Sequence, residues 1–450
     1  MDRLTVVSAD CHADPAEVDG YGPYLEAEYQ DDYAAYVADL RAVLADVGQG
    51  TGHDRTAFFS SDHHAKLEAA VGGTMPTDGA ASTIGSNLSL TSDPDVRLRD
   101  LEADGVVAEV IFVNAAWPFA PTGISDFRQP PRDDGSSGRE RELQTAGKRA
   151  YHRWLGELCQ AHPGRRVGVG VLYPIDDVQE TIDDLELMRS LGVGAVMCPP
   201  PVLSAPALWD RCLDPVWAKL AELDMPVHLH AGWGEKLDPR VSLRRPDSPE
   251  FDPGVQAISD IEMFWYPRRA LWLLTFGGVL DRHPGLKVVF TELNADWVPT
   301  YLRQMDGIYD DYLRSARKLN QHLSMPPSEF WKRQCFVGAS SISRNEVALR
   351  DEIGLETMMF GTDYPHNEGT WPTTVKWLQR AFEDIPEADV RAILGGNAIR
   401  CYGLDAEQLA AAAATCGPSV EDVVRGAKDL DEADVKWLDD RGASRPVAFI

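Results

Sequence analysis

The chain has 450 residues, and its 71 Asp and Glu against 43 Lys and Arg give a net charge of −28. An acidic excess of this size repels nucleic-acid phosphates and anionic lipids, so we expect neither nucleic-acid nor membrane-surface binding. No apolar stretch approaches the about 20 residues of a membrane span, and the start, MDRLTVVSAD, lacks the apolar segment of a secretory signal. Seven cysteines without a C-x-x-C pair indicate reduced thiols. These features predict a cytoplasmic globular protein with a large core.

Eight short apolar or β-branched runs follow one another along the chain. Near-continuous apolar runs of this length are typical of strands buried on both faces of a parallel sheet. In chain order they are LTVVSA (4–9), VVAEVIF (106–112), RVGVGVL (166–172), VGAVMC (193–198), MPVHLH (225–230), LKVVFT (286–291), QCFVGA (334–339) and TMMFGT (357–362).

Helical patterns separate most of these runs, among them GKRAYHRWLGELCQ, DDVQETIDDLELMRS, DPVWAKLAEL and RALWLLTFGGVLDRH. Eight strands that alternate with helices predict an α/β protein, a distorted (β/α)₈ TIM barrel. A doubly wound open sheet is the competing interpretation. Its usual phosphate-binding motifs, G-x-G-x-x-G and G-x-x-x-x-G-K-[ST], are missing from the sequence.

The regular spacing is interrupted in two places and changes at the end. We predict a metal-dependent barrel domain over 1–405, with a long insertion after the first strand (about 16–96) and a smaller one at 121–140. Residues 406–450 are predicted to form a helical C-terminal tail that packs on the barrel or on another subunit. We expect a homo-oligomer.

Ionisable side chains collect where four of the predicted strands end, and this is where barrel enzymes place their chemistry. They are Asp10 and His12, His228 and His230, Glu292, and Asp363. Residues i and i+2 on a strand face the same side, so each of the first two pairs points together. Such a cluster is costly to bury unless it is paired or binds metal. Mixed nitrogen and oxygen ligands favour a divalent transition metal such as Zn, Fe or Mn.

Each of these residues also has an ordinary structural interpretation. A single strand-end Asp or His is most often a cap or a hydrogen-bonded core group, and for His228 alone we favour that or a role behind the ligands. Glu292 is a ligand, a general base or an ion-pair partner. Glu109, inside VVAEVIF, is predicted to be buried and paired with an arginine. For Asp10, His12, His230 and Asp363 together, chance is a poor explanation.

Loop residues beside the predicted ligands suggest the substrate. We assign the pocket wall to Trp117, Trp233, Tyr364 and His366. Arginines after the fifth strand are candidates for holding a substrate carboxylate, although solvated charges are an equal alternative: Arg240, Arg244, Arg245, Arg268 and Arg269. The predicted partner is a hydrophobic small molecule that bears a carboxylate.

The sequence resembles the amidohydrolase superfamily, in the branch of aminocarboxymuconate-semialdehyde decarboxylase and related acid decarboxylases and hydrolases. The matching motifs span roughly residues 1–405: SADCHADP, LDPVWAKLAELDMPVHLHAG, GGVLDRHPGLKVVFTELNADWVP, MMFGTDYPHNEGTWP and ILGGNAIRCYGL. The resemblance implies a barrel whose metal is held by Asp10, His12, His230 and Asp363.

Two departures from that family change the chemical expectation. The decarboxylases end their sixth strand in a catalytic His, and this chain has Glu292 there. The lysine that bridges two metals in many hydrolases of the superfamily has no counterpart. The remaining three carboxylates and three or four histidines are enough for one or two ions per chain, with Glu292 as a bridge and His228 as a further ligand or catalytic group.

Three functions remain open at this point. The first is a hydrolase or lyase that uses metal-activated water on a hydrophobic, carboxylate-bearing substrate, with Glu292 and His228 handling protons. The second is a di-iron monooxygenase that hydroxylates a hydrophobic, terpenoid-like acid in secondary metabolism, because the residue set also resembles a non-heme di-iron monooxygenase of diterpenoid biosynthesis. The third, a metal-stabilised barrel without turnover, fits worst, because the polar groups exceed what a structural metal needs.

Overall fold

The structure is a computed structural model that describes residues 2–15, 17–49, 92–114, 117–120, 138–173, 175, 177–198, 206–232, 252–311, 322–366 and 369–444. Most of both predicted insertions therefore lies outside the described residues, as do Trp233, Arg240, Arg244 and Arg245. None of the described helices is long and apolar enough to cross a bilayer.

Eight parallel strands form one sheet in sequence order, each hydrogen-bonded to the next. They are β1 (Val7–Ala13), β2 (Ala108–Val113), β3 (Arg166–Val171), β4 (Ala195–Met197), β5 (Val227–His230), β6 (Val288–Thr291), β7 (Cys335–Ser340) and β8 (Met358–Gly361). A parallel bridge between Cys11 and Tyr364 brings the last strand back to the first. The predicted (β/α)₈ barrel is confirmed, and an open doubly wound sheet is excluded.

Helices surround the sheet and follow it at the carboxyl end of the chain. The α-helices in the described residues are Gln30–Gln49, Pro94–Ala103, Gly138–Gln160, Val178–Ser190, Asp214–Glu222, Pro253–Phe276, Val279–Arg282, Val298–Asp310, Pro327–Gln334, Arg344–Ala348, Arg350–Ile353, Thr374–Ala381, Glu387–Arg391, Asn397–Tyr402, Ala406–Cys416, Val420–Arg425 and Glu432–Asp440.

The last three helices lie within the predicted tail, and they pack on the barrel. Val423 and Leu438 are fully buried. Arg380, on the barrel helix Thr374–Ala381, donates to Asp439 at 2.7 Å, and Lys376 on the same helix pairs with Asp434 at 2.9 Å. Apolar burial and these partly buried ion pairs together fix the tail on this side of the barrel.

The strands carry the predicted ligands to one rim of the barrel because all their carboxyl ends point the same way. On β1 the register against β2 shifts between Ser8 and Cys11. An extra residue at such a bulge re-aims its side chain, and Asp10 lies at this point. The β1–β8 seam is closed by Asp363 N, which donates to Asp10 O at 2.9 Å. Two of the candidate ligands are thereby held side by side through their own backbones.

A buried network of charged side chains lies beside the β1–β8 seam. Glu109 on β2 accepts from Arg97 Nε at 2.7 and 2.9 Å and from Arg166 Nε at 3.0 Å. Arg97 Nη1 also donates to the carbonyl of His12 at 2.8 Å. Burial alone would raise the pKa of Glu109, but the two guanidinium groups outweigh it and lower the pKa. The prediction that Glu109 is buried and paired with arginine agrees with this geometry.

Replacing Glu109 by Ala is expected to reduce the free energy of unfolding by about 3–5 kcal/mol, because it removes the buried carboxylate that compensates the charge of two buried guanidinium groups. Urea denaturation at neutral pH measures the effect. The matched control is Glu142→Ala, which removes an exposed pair with Arg139 and should cost about 1 kcal/mol or less. Since the folded pKa of Glu109 lies below the unfolded one, the difference from wild type should shrink as the pH falls through the folded pKa. A Glu109→Ala cost as small as that of the control would contradict this account.

Candidate metal centre

Five side chains meet at the rim formed by β1, β5 and β8. Their ligand atoms form two groups, each within 4.8 Å: Asp10, His12 and His230, and His12, Asp363 and His366. Asp10 Oδ1 lies 3.3 Å from His230 Nε2 and 3.5 Å from His12 Nε2. Asp363 Oδ1 lies 3.3 Å from His12 Nε2 and 2.8 Å from His366 Nδ1. The four predicted ligands thus converge, and His12 belongs to both groups.

Backbone conformation helps to aim two of the carboxylates. Glu292 and Asp363, the residues that follow β6 and β8 closely, have φ values of 56° and 58°. This left-handed region is costly for residues other than glycine, and such strain is concentrated at functional sites. Here the backbone N–H of Glu292 donates to Gly338 O at 3.0 Å, and the Asp363 N–H is held by Asp10 as described. Backbone hydrogen bonds therefore help to hold both residues in this conformation at the strand ends.

Backbone carbonyls fix the tautomer of the two central histidines. His12 Nδ1 lies 3.1 Å from Val113 O, and His230 Nδ1 lies 2.8 Å from Ala231 O. A carbonyl oxygen can only accept, so Nδ1 carries the hydrogen in each ring. In the neutral rings Nε2 then presents its lone pair towards Asp10 and Asp363. This arrangement, with one nitrogen held by a carbonyl and the other directed inward, is usual for metal-binding histidines.

The polar atoms of this cluster are suited to holding a shared cation. Among the described residues, the buried atoms His12 Nε2 and Asp363 Oδ1 have no hydrogen-bond partner. Burial would raise the pKa of Asp363, but the neighbouring His366 and His12 hold it well below its usual range, so the carboxylate is ionised. For His230, burial lowers the pKa, while Asp10 and Glu292 raise it to about 9. A divalent ion among these side chains would satisfy His12 Nε2 and Asp363 Oδ1 together, and the donor set fits a divalent transition metal.

The structure separates the two further candidates, Glu292 and His228. Glu292 Oε2 lies 3.4 Å from His230 Nδ1, and its side chain is 14 % exposed, so it reaches the edge of the cluster. His228 lies deeper in the barrel, with Nδ1 2.8 Å from Thr291 Oγ1 and Nε2 3.3 Å from the hydroxyl of Tyr402. Both its ring nitrogens have partners, and His228 joins neither ligand group. The structure places it in the hydrogen-bonded core.

Two of the predicted pocket residues, Trp117 and Tyr364, lie in buried positions. Trp117 and Tyr364 are almost fully buried. The Tyr364 hydroxyl donates to Asp100 at 3.1 Å, and Arg97 lies 4.9 Å from its ring centre. Tyr364 therefore points behind the seam, into the layer between strand and helix, rather than towards the ligands. Trp371, half-buried, covers its ring edge-on at 5.2 Å between centroids.

Phe112 is an aromatic side chain that lies against the predicted ligands, and it was not among the residues singled out from the sequence. Its ring centroid lies 4.7 Å from that of His230, 5.0 Å from that of His228 and 5.9 Å from that of His12. It therefore forms an apolar wall beside the imidazoles. The available signal was its position: Phe112 is the next-to-last residue of β2, directly before Val113, whose carbonyl fixes His12.

His366 has a closer relation to the ligands than a pocket wall would have. Its ring stacks on that of His12 with centroids 4.1 Å apart, and it belongs to the second ligand group. The sequence analysis placed it among substrate contacts. Its position three residues after Asp363 was the available signal, since a tight turn between them returns the imidazole to the carboxylate.

One of the candidate arginines lies beside the loop that follows β6. Arg268 Nη2 donates to Leu293 O at 2.7 Å, and its guanidinium lies 5.3 Å from the ring centre of Trp297. Burial lowers the pKa of Arg268, and its buried Nε has no hydrogen-bond partner among the described residues. Arg269 instead packs on Tyr266, 5.0 Å from the ring centre.

An eight-stranded parallel barrel with imidazoles and carboxylates at the carboxyl ends of its strands is the architecture of metal-dependent barrel enzymes. Residues 117–404, more than half of the chain, match the family model described as Amidohydrolase. The chain belongs to this family, and the resemblance stated from its motifs is confirmed.

Several known proteins are similar to the chain. It is 25 % identical over 330 residues to the gamma-resorcylate decarboxylase of Rhodococcus jostii (strain RHA1), covering 69 % of this chain and 88 % of that protein. It is 24 % identical over 361 residues to the 2-amino-3-carboxymuconate-6-semialdehyde decarboxylase of Dictyostelium discoideum, covering 77 % and 85 %. Among solved structures, a dihydroxybenzoic acid decarboxylase from Polaromonas sp. JS666, with bound manganese and 2-nitroresorcinol, superposes with a TM-score of 0.53 at 16 % identity, covering 91 % and 99 %.

Proposed function

We propose that the protein is a metal-dependent lyase that decarboxylates a hydrophobic, aromatic or conjugated carboxylic acid, with hydrolysis by the same site as the related reaction. The observation that carries the proposal is the convergence of Asp10, His12, His230 and Asp363, with both imidazole Nε2 atoms directed at carboxylates. The decarboxylase relatives support the choice of reaction within the family.

The residues that would hold the metal are Asp10, His12, His230 and Asp363. When bound, a divalent ion acts as a Lewis acid that polarises a substrate carboxylate or phenolate oxygen or a water molecule. The mixed imidazole and carboxylate set accommodates Zn, Fe or Mn. The fully buried ring of Phe112, 4.7 Å from that of His230, gives the imidazoles of the site an apolar neighbour that excludes water from this side.

Glu292 is the proton-handling group in this proposal. In decarboxylation the carbon–carbon bond breaks, carbon dioxide leaves, and the carbon that keeps the electron pair must take up a proton. Glu292, 3.4 Å from His230 and partly open to solvent, lies where such a proton can be delivered and then replaced from water. In a hydrolytic reaction the same carboxylate would instead accept a proton from the attacking water.

A second candidate function is hydroxylation of a hydrophobic acid by a di-iron monooxygenase. The observation that favours it is the carboxylate of Glu292 beside His230, which gives the rim a third carboxylate in addition to Asp10 and Asp363. Carboxylate-rich sites with imidazoles are the kind that hold two irons for O₂ chemistry.

Turnover without oxygen distinguishes the two candidates. Metal-loaded protein is incubated with a panel of hydroxybenzoic acids that includes gamma-resorcylate, with and without O₂ and reductant, and carbon dioxide release is measured. The proposal expects equal rates in both atmospheres. Oxygen from ¹⁸O₂ in the product, with no reaction under nitrogen, would contradict it and support the monooxygenase. The His230→Ala variant sets the background rate in each case.

A further inference from the structure

We propose that the C-terminal tail holds the loop after β8 against the candidate site, and that Arg441 is the positioning residue through which it does so. The β8 loop comprises residues 364–366 and 369–373 of the described chain, and it carries His366. The tail lies beyond residue 404, where the match to the family model ends. The inference goes beyond the proposed function, because it concerns the geometry of the site and not the reaction.

The guanidinium of Arg441 reaches the β8 loop from the end of the last tail helix, Glu432–Asp440. Its Nη2 donates to the carbonyl oxygen of Gly369, and its Cζ lies 5.0 Å from the ring centre of Trp437 on the same helix. A hydrogen bond from a charged donor is stronger than one between neutral groups. The contact therefore ties the loop to a part of the chain that is distant in sequence.

Gly369 in turn lies directly on the backbone of the site. Its N–H donates to His366 O at 3.1 Å, and the N–H of Thr370 donates to Thr362 O at 2.9 Å. A β-carbon on Gly369 would collide with Thr362 O and would lie 3.0 Å from the carbonyl oxygens of Asp363 and His366. Because no side chain separates these backbone segments, a shift of Gly369 is passed on to the turn that joins Asp363 to His366.

That turn determines where the His366 ring lies. Nδ1 of the ring forms an ion pair with Asp363 Oδ1 at 2.8 Å, and the ring stacks on that of His12 with centroids 4.1 Å apart. A looser loop would let the imidazole move away from both neighbours. Arg441 therefore acts on the site through Gly369, without contacting the imidazoles itself.

The tail can hold the loop because it is fixed on both sides of Arg441. Before it, Asp439 accepts from Arg380 at 2.7 and 3.0 Å. After it, the carbonyl of the fully buried Ala443 accepts from the N–H of Arg344 at 2.7 Å, and Arg344 begins the helix that follows β7. The tail thus spans the elements that follow β7 and β8, so Arg441 has little freedom to leave the loop.

The two ends of the β8 loop have separate anchors, in and just after the helix that precedes β2. At one end the hydroxyl of Tyr364 donates to Asp100 at 3.1 Å, and at the other the N–H of Thr374 donates to Asp104 at 3.0 Å. Arg441 contacts the segment between these anchors. Its removal should loosen that segment and leave the ends in place, so we expect a local effect.

Hydrogen exchange of the full-length protein as purified, followed by mass spectrometry, tests the inference without any substrate. Arg441→Met keeps the aliphatic part of the side chain and removes the donors. In this variant the amides of His366, Gly369 and Thr370 should exchange about 10-fold faster than in the wild type, because local opening no longer breaks the Arg441 bond. Amides of β5 and β6 should be unchanged.

Two further variants serve as comparisons for Arg441→Met. Arg441→Lys keeps a cationic donor, so its exchange should lie between that of the wild type and that of Arg441→Met. Lys436→Met changes an exposed cation of the same helix, paired with Asp440, and should match the wild type. If Arg441→Met does not fold, Arg441→Gln is held to the same expectation.

Cobalt binding tests whether the loop positions the site. The dissociation constant of Co²⁺, titrated into chelator-treated protein, should rise about 10-fold in Arg441→Met and recover in part in Arg441→Lys. Unchanged loop exchange, faster exchange throughout the barrel, or a dissociation constant equal to that of the wild type would each overturn the inference. Co²⁺ binding without decarboxylation would refute only the proposed function, while decarboxylation with unchanged loop exchange in Arg441→Met would refute only this inference.

Discussion

The His230→Ala variant is expected to lose the ion held with Asp10 and to lose about 10²–10³-fold in kcat/KM, while folding as the wild type does. Its imidazole is fixed by Ala231 O and faces Asp10 at 3.3 Å, so its removal opens the coordination of that ion. The fold should survive because the surrounding strands are apolar and buried on both faces. Metal analysis, steady-state kinetics and circular dichroism measure the three quantities.

His322→Ala serves as the control, because it removes an exposed imidazole whose hydrogen-bond partner is the carbonyl of Phe276 and not a residue of the cluster. It should match wild type in metal content and in rate. A folded His230→Ala protein that retains all its metal and its activity would show that His230 is not a ligand.

Glu292→Gln is expected to lower kcat by about 10²–10⁴-fold while leaving the bound metal in place, because general acid–base groups contribute in that range. Gln keeps the shape of the side chain and its capacity to accept a hydrogen bond, but it cannot transfer a proton. Kinetics with metal analysis of the same sample separates this effect from a loss of ligand.

The control for that variant is Glu329→Gln, a half-exposed carboxylate paired with Lys332 on the surface. It should behave as the wild type. If Glu292→Gln retains kcat within a factor of about three, Glu292 does not handle the proton, since that factor is below the usual contribution of such a group.

The barrel was predictable because parallel strands that are buried on both faces have near-continuous apolar sequences, which are visible as short runs along the chain. Each of the eight runs overlaps an observed strand. The boundaries were less accurate at β1, which the pattern ended at residue 9 and the structure extends to Ala13. Asp10 and His12 are polar, so they broke the apolar run even though they are strand residues.

The ligand cluster was predictable in its members and less so in its arrangement. Spacing on β5 placed His228 and His230 on one face, but it could not show that His228 finds partners in Thr291 and Tyr402 deeper in the barrel. Both are contacts between segments far apart in sequence. The backbone carbonyls that fix His12 and His230 leave no trace in residue type, so the tautomers could be read only from the structure.

The role of His366 also depends on contacts that the sequence pattern does not show. Its identity and its distance from Asp363 in sequence were visible, yet whether the turn between them returns the ring to the carboxylate depends on backbone conformation. The left-handed φ of Asp363, 58°, and the contact with Asn114 on β2's carboxyl side decide the question. Neither follows from a local pattern.

Anomalous diffraction from crystals of the manganese- or cobalt-loaded protein tests the central claim, a metal centre at this rim of the barrel, most directly. The account predicts an anomalous peak about 2.0–2.3 Å from an imidazole nitrogen of His12 or His230 and from a carboxylate oxygen of Asp10 or Asp363. Loaded crystals without a peak at these side chains, or with their only peaks at other residues, would contradict it.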